Sequence, residues 1–189
     1  MKYFIVGMHC SGKQELFEIL CRQNISCGKL FSNANVNDIR YDFFSDNDIV
    51  EIFENKAYVF MKELDEYSRN CYEGLSLYEY DNKDVFFLSP CQFTAIPAQF
   101  YSEDICLIWL DDSKNVRKRR FDEEKRTYDF AETEEYERRD IEEFIKTIYS
   151  NKYFHVLYFT NEDIGRVASV VYACVKHPDL ISNFEKTYK

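Results

Sequence analysis

The sequence predicts an α/β fold built on a doubly wound, parallel central sheet, and three observations predict it. A strand, a glycine-marked loop and a helix follow one another at the start of the chain, in YFIVGMHCSGKQELFEIL, residues 3–20. Three further apolar runs, at residues 84–88, 105–110 and 153–159, are continuous rather than alternating, the pattern of strands covered on both faces. Helical segments separate these runs, as parallel strands require. At 189 residues the chain has room for one domain with a full core. No internal repeat, low-complexity stretch or linker marks a second.

Each element has a local cause. Tyr3-Phe4-Ile5-Val6 reads as a buried strand, and Leu16, Phe17 and Leu20 recur at helical spacing after the loop. Gly28 closes a turn, and Lys29-Leu30-Phe31 leads into the polar stretch of residues 32–35. Residues 39–44 read as a short strand ending at Ser45. Ser45 with Asp48 forms a capping-box variant for a helix whose apolar face is Ile49, Ile52 and Phe53. Residues 57–64 read as a strand, and Tyr72-Glu73-Gly74 as a loop beyond it. Residues 84–88 read as a central strand broken by Ser89-Pro90, and residues 105–110 repeat the pattern. From Thr133 a helix carries Ile141, Phe144, Ile145 and Ile148 on one face. The run 153–159 contains His155, read as a hydrogen-bonded strand residue. Asn161 is the expected cap of a last helix with the stripe Ile164, Val167, Ala168 and Val171, and Pro178 lies just past its end.

The formal charge of −10 argues against a general nucleic-acid or anionic-membrane binder, since the field of the whole molecule would repel both. Any anion site is therefore local. Seven cysteines, an odd number with no C-x-x-C pair and no histidines at metal spacing, read as buried thiols of a reducing cytoplasm. The longest apolar run has six residues, and the N-terminus lacks the pattern of a secretory signal. The expectation is a cytoplasmic protein without a membrane or nucleic-acid partner.

The loop carries the chemistry. Gly7, Gly12 and Lys13 stand at the spacing of a phosphate-binding loop, whose main-chain N–H groups surround an anion at a helix N-terminus while the lysine reaches the terminal phosphates. The nucleotide-binding set on this reading is Gly7, His9, Cys10, Ser11, Gly12, Lys13 and Gln14. A plain tight turn between strand and helix is the competing reading. Gln14 stands where a serine or threonine hydroxyl ordinarily meets Mg2+, and its amide oxygen suits that short contact less well. No protein residue is assigned to a metal. Cys10, inside the loop, is a plain loop residue or, if the helix N-terminus acidifies it, a reactive thiol.

Nine cations fall between residues 114 and 139: Lys114, Arg117, Lys118, Arg119, Arg120, Lys125, Arg126, Arg138 and Arg139. Phosphoryl transfer needs positive groups around the transferred oxygens, and arginines on a mobile segment supply them. Interspersed glutamates, among them Glu123, Glu124, Glu132, Glu134, Glu135 and Glu137, equally predict ordinary helical salt bridges.

These residues resemble the guanylate kinase-like P-loop nucleoside monophosphate kinases, collinearly over most of the chain. The loop is N-terminal, as in that family. Ser32 follows a strand like the serine opening its S-x-T-T-R segment, and Tyr41-Asp42-Phe43-Phe44-Ser45 resembles its Y-x-F-x-S motif. Glu63 falls at its base-recognising glutamate, Tyr72-Glu73-Gly74 resembles its Y-G-T turn, and residues 159–163 resemble its strand ending in N-D-D. The resemblance implies a three-layer P-loop kinase fold with a core of residues 1–30, 81–117 and 136–189, an inserted nucleotide-monophosphate lobe at about 31–80, and an arginine-rich lid at about 118–135. It also implies transfer of the γ-phosphoryl of ATP to a nucleoside or deoxynucleoside monophosphate, with Mg2+ as the usual companion. Lys13 would then steady the phosphates, and Arg120 with Arg138 or Arg139 would stabilise transferred charge. Tyr41, Ser32 and Tyr72 would hold the acceptor phosphate, and Glu63 would read its base. Three departures stand out: the arginine closing S-x-T-T-R has no counterpart except Arg40, Ser89-Pro90 replaces an acidic residue, and Gln14 replaces the metal-ligand hydroxyl. They leave open a second reading, a nucleotide-binding protein of little or no turnover that acts as a sensor or interaction module.

Overall fold

Strand β1 (Lys2–Gly7) lies inside a four-stranded, all-parallel sheet with β6 (Val85–Leu88), β7 (Ile105–Leu110) and β8 (His155–Phe159), in the order β6-β1-β7-β8. The computed structural model describes residues 1–34, 36, 38–64, 71–101, 104–126, 129–151, 154–160 and 163–185. Alternation along β1 feeds two cores. Tyr3 and Ile5 enter one with Leu16, Phe17 and Leu20 of α1 (Lys13–Arg22) and Val167, Ala168 and Val171 of α7 (Ile164–Lys176). Phe4 and Val6 enter the other with Phe93 of α4 (Pro90–Thr94) and Phe144 of α6 (Phe130–Ser150). Helices therefore cover both faces of the sheet, which is why its strands read as unbroken apolar runs.

Residues between α1 and β6 form a second four-stranded sheet, ordered β3-β2-β5-β4, from β2 (Leu30–Ser32), β3 (Tyr41–Phe43), β4 (Tyr58–Glu63) and β5 (Tyr72–Ser76). Leu30, Val59, Phe60 and Leu75 carry this sheet onto the second core. Helix α2 (Asp46–Glu54) follows β3, capped by the reciprocal Ser45–Asp48 box. A short helix α3 (Leu77–Asn82) follows β5, and α5 (Lys114–Glu123) follows β7.

Several expectations are corrected. Tyr72-Glu73-Gly74 is not a loop but the start of β5. Its glycine exists for packing, because a Cβ on Gly74 would lie 2.4 Å from Phe60 O and 2.5 Å from Phe31 Cζ. The run at 85–88 is an edge strand of the ladder rather than a central one. It stays buried because residues 27–28 run alongside, with a Cys27–Val85 bridge and Gly28 N donating to Val85 O at 2.8 Å. Ser89-Pro90 starts α4 through a Ser89–Gln92 capping box. Phe53 does not join the apolar face of α2; it is 59% exposed and stacks on Tyr58, 6.4 Å between ring centroids. The residues proposed as the start of the last strand, Tyr153, and as the final cap, Asn161, lie outside the described residues. Asp163 caps α7, its Oδ1 accepting from Arg166 N at 3.1 Å. His155 pairs with Glu185 at 2.8 Å. Not every cysteine is buried: Cys21 is exposed and Cys10, Cys71 and Cys91 are half-buried, all as free thiols.

Candidate phosphate-binding site

At the carboxyl end of β1 the chain turns sharply and enters α1. Ser11 N donates to Met8 O at 3.3 Å, and Cys10 and Gly12 adopt left-handed φ values of 54° and 83°. A side chain at Gly12 would be strained, for besides the left-handed φ a Cβ there would lie 2.4 Å from Ile164 Cδ1, which would have to move. Gly12 is the N-cap of α1, and no side chain caps that helix. Helix N-termini of this kind take anions through their first-turn N–H groups. Lys13 folds back along the loop, its Nζ donating to Gly7 O, to Met8 O at 2.7 Å and to Ser11 Oγ at 3.4 Å. Burial, followed by the nearby Arg40 charge, lowers the Lys13 pKa to about 7.

A cavity of about 360 Å³ opens on this loop, lined by residues 9–15 together with Arg40, Arg119, Arg120, Glu123, Glu124 and Arg126. Arg40 comes from the turn that leads into β3 of the second sheet. Asp38 grips it with both oxygens, Arg40 Nε donating at 2.9 and 3.1 Å, and Arg40 Nη2 adds a further bond. Burial opposes the Asp38 charge, but the bonds and charge of Arg40 prevail and hold its pKa below the ordinary value. Arg120 bridges Asp112 to the loop, its Nη1 donating to Asp112 Oδ2 and to Cys10 O at 3.2 Å. Arg126 Nη2 donates to Gln14 Oε1 at 3.3 Å, and its Nε to Glu124 Oε2 at 2.6 Å.

The remaining cations divide by helix face. Arg117 is buried and forms a two-bond pair with Glu134 (2.5 and 2.7 Å) while its Nε donates to Asp112 O at 3.0 Å, so it ties α5 to α6. Arg138 and Arg139 are exposed on α6 and are not among the cavity-lining residues. Their neighbour Glu137 reaches the loop instead. The His9 main-chain N–H donates to both Glu137 oxygens, at 3.0 and 2.8 Å, and His9 Nδ1 lies 2.5 Å from one of them.

The expected acceptor residues lie on the second sheet. Ser32 is buried, its hydroxyl donating to Tyr72 O at 2.9 Å and accepting from Ala34 N at 3.1 Å. Tyr41 donates to Glu73 Oε2 at 2.9 Å and accepts from Gln92 Nε2 at 2.8 Å. Burial first, and then Glu73, push the Tyr41 phenol well above its ordinary pKa. Glu63 is exposed at the end of β4, opposite Tyr72 in the ladder. The buried carboxylate beside Tyr41 is Glu73, not Glu63.

Arg40 and Arg120 were legible in the sequence, and Glu137 only as a helical salt-bridge glutamate; Asp38, Asp112, Glu73 and Gln92 had no role there. Of these, Asp38 had a local signal, two residues before a lone arginine. The contacts of the others, and that of Glu137 with His9, span 8 to 128 residues and had none.

Mg2+ fits these residues poorly. The one oxygen that Gln14 offers already accepts from a guanidinium, and the Ser89 hydroxyl accepts from Gln92 N at 3.3 Å in the α4 cap. Among the described residues no group of three or more His, Cys, Asp or Glu is placed to hold a metal ion. Nor, among them, is any helix long and apolar enough to cross a membrane.

No known protein-family profile matches the chain, and no curated protein matches it by sequence. Solved structures do share its fold. Guanylate kinase from Anaplasma phagocytophilum superposes with a TM-score of 0.58 at 15% identity, covering 99% of this chain and 87% of that one. At that identity the likeness establishes a guanylate kinase-like α/β fold with a parallel central sheet and no more.

Proposed function

We propose that the chain binds ATP by its phosphates and transfers the γ-phosphoryl to a nucleoside or deoxynucleoside monophosphate. The observation that carries this reading is the convergence of the loop, Lys13, Arg40, Arg119, Arg120 and Arg126 on one cavity at the carboxyl end of a parallel sheet. Such transfer asks little covalent chemistry of a protein; positioning and charge stabilisation do most of the work. Lys13 would swing from its main-chain carbonyls to the terminal phosphates, whose negative charge favours its ammonium form. Arg120, held by Asp112 and already touching the loop at Cys10 O, would face the developing charge. Arg40 would serve the acceptor side, since it enters the cavity from the second sheet and Asp38 fixes its plane. Arg138 and Arg139 would contribute only if α6 turned toward the cavity.

A second reading has its own support. Tyr41 and Ser32 already have their hydroxyls engaged within the protein, and the Glu73 carboxylate stands 2.9 Å from the Tyr41 hydroxyl, where an acceptor phosphate would meet like charge. That arrangement favours a nucleotide-binding protein of low turnover, serving as a sensor or an interaction module.

A coupled assay of ADP release across a panel of nucleoside and deoxynucleoside monophosphates, with and without Mg2+, separates the two. Turnover on at least one acceptor supports phosphotransfer. Silence on all of them, with ATP still raising the melting temperature, supports the sensor. Ligand at 100 times its dissociation constant stabilises a folded chain by about 2.7 kcal/mol. Absence of any shift with nucleotide would reject both.

A further inference from the structure

We propose that the phosphate site works without a divalent cation, the Arg126 guanidinium standing against Gln14 where loops of this kind gather the ion. The inference rests on the nucleotide-binding reading above. Gln14 directly follows the loop lysine in the first turn of α1, the position from which a hydroxyl ordinarily reaches a metal bound between the outer phosphates. In this chain that position offers an amide oxygen, and Arg126 Nη2 donates to it at 3.3 Å. Glu124 orients the guanidinium from its own turn through a 2.6 Å bond to Nε, so the cation is held over the loop and lines the phosphate cavity.

Two physical arguments make the arrangement a replacement rather than an accessory. Mg2+ demands oxygen ligands at about 2.0–2.1 Å in nearly octahedral geometry, and although the Gln14 amide oxygen keeps a second lone pair, an ion bound there would stand directly beside the like charge of the Arg126 guanidinium. A guanidinium, by contrast, meets phosphate oxygens through a planar fork of N–H donors and carries its charge at every accessible pH. The usual second support is also spent, since the Ser89 hydroxyl at the end of β6 caps α4. The surrounding cations, Lys13, Arg40, Arg119 and Arg120, supply charge to a polyphosphate from the protein itself.

Calorimetric titration of the full chain with a non-hydrolysable ATP analogue, in EDTA and in excess Mg2+, tests the proposal. The wild-type dissociation constants should agree within about threefold between the two conditions. Arg126→Gln should bind at least about tenfold more weakly in EDTA, the loss expected for a charge-assisted contact. Gln14→Ser combined with Arg126→Gln should recover affinity in Mg2+ but not in EDTA. Arg119→Gln, a cavity cation with no contact to Gln14, should weaken binding equally in both. The proposal is overturned if wild-type binding is more than about threefold tighter with Mg2+, if Arg126→Gln matches wild type in EDTA, or if the double variant gains nothing from the metal. Failure of the wild-type chain to bind the analogue under either condition would overturn nucleotide binding itself, a result distinct from metal-dependent binding.

Discussion

Lys13 concentrates the residue-scale physics. Its ammonium is buried against main-chain carbonyls with Arg40 nearby, and burial with that like charge brings its pKa to about 7. An anion bound at the loop would favour the charged form, so binding above that pH must take up a proton. Near pH 8, ATP binding measured in buffers of different ionisation enthalpy should show uptake approaching about one proton, falling toward zero near pH 6, where Lys13 is already charged. Lys13→Met should abolish the uptake at about pH 8. Gly12 sets a second constraint at the same scale. With φ at 83° and Ile164 pressed against it, Gly12→Ala should lower stability by about 1–3 kcal/mol, read from denaturant unfolding, and should distort the loop enough to impair nucleotide binding.

Helix α6 illustrates how an element distributes roles. Glu134 and Glu137, one turn apart, project toward α5 and the loop, while Arg138 and Arg139 emerge on exposed surface. Removing one partner of a buried ion pair leaves the other charge stranded, so Glu134→Ala should cost about 3 kcal/mol by exposing the unmet demand of Arg117. Its pH dependence has a definite sign. Burial raises the Glu134 pKa, yet the hydrogen bonds and charge of Arg117 outweigh that and leave it below the ordinary value. The pair therefore stabilises the fold above the ordinary carboxylate range and loses its contribution as pH falls through the depressed pKa, a slope that Glu134→Gln should remove from acid unfolding curves. Glu137 acts in the opposite direction on ligands. Its carboxylate accepts the His9 main-chain N–H of the loop, so on the proposed phosphate-binding reading Glu137→Gln should tighten inorganic pyrophosphate binding about three- to tenfold in calorimetry, since a negative charge beside the loop is gone.

At the scale of the whole molecule, one sheet supports two cores. Phe144 of α6 is fully buried among Phe93 and Trp109, and it belongs to the cluster that also receives the second sheet through Phe60 and Leu75. Phe144→Ala should therefore cost about 3–5 kcal/mol in denaturant unfolding and loosen the seat of Glu134 and Glu137 with it. The net charge of −10 bears on function at this scale too. On the proposed phosphate-binding reading, a cavity lined by five cationic side chains and by Glu15, Glu123 and Glu124 is a local anion site in an acidic molecule, and its affinity for pyrophosphate should fall as salt screens it.

The sequence alone determined the parallel sheet, the strand-loop-helix bearing Lys13, the Ser45–Asp48 cap and the stripe of α7, because each rests on residues within a few positions of one another: periodicity, spacing or a cap. It determined, too, that cations would gather around the start of α6 and that Gln14 stands where the resemblance expects a hydroxyl. Only the tertiary structure decided which cations meet the loop. Arg40 arrives from the turn before β3 of the second sheet, Arg120 and Arg126 turn toward the cavity, Arg117 is spent on Glu134, and Arg138 and Arg139 are left exposed. Successive residues on a helix point about 100° apart, so Glu137 rather than Arg138 reaches His9 through a small rotation that no pattern of charges along the chain encodes. Gly74 likewise read as a turn until its neighbours Phe31 and Phe60 were in place, for the need for an absent side chain is set by atoms that come from elsewhere in the fold.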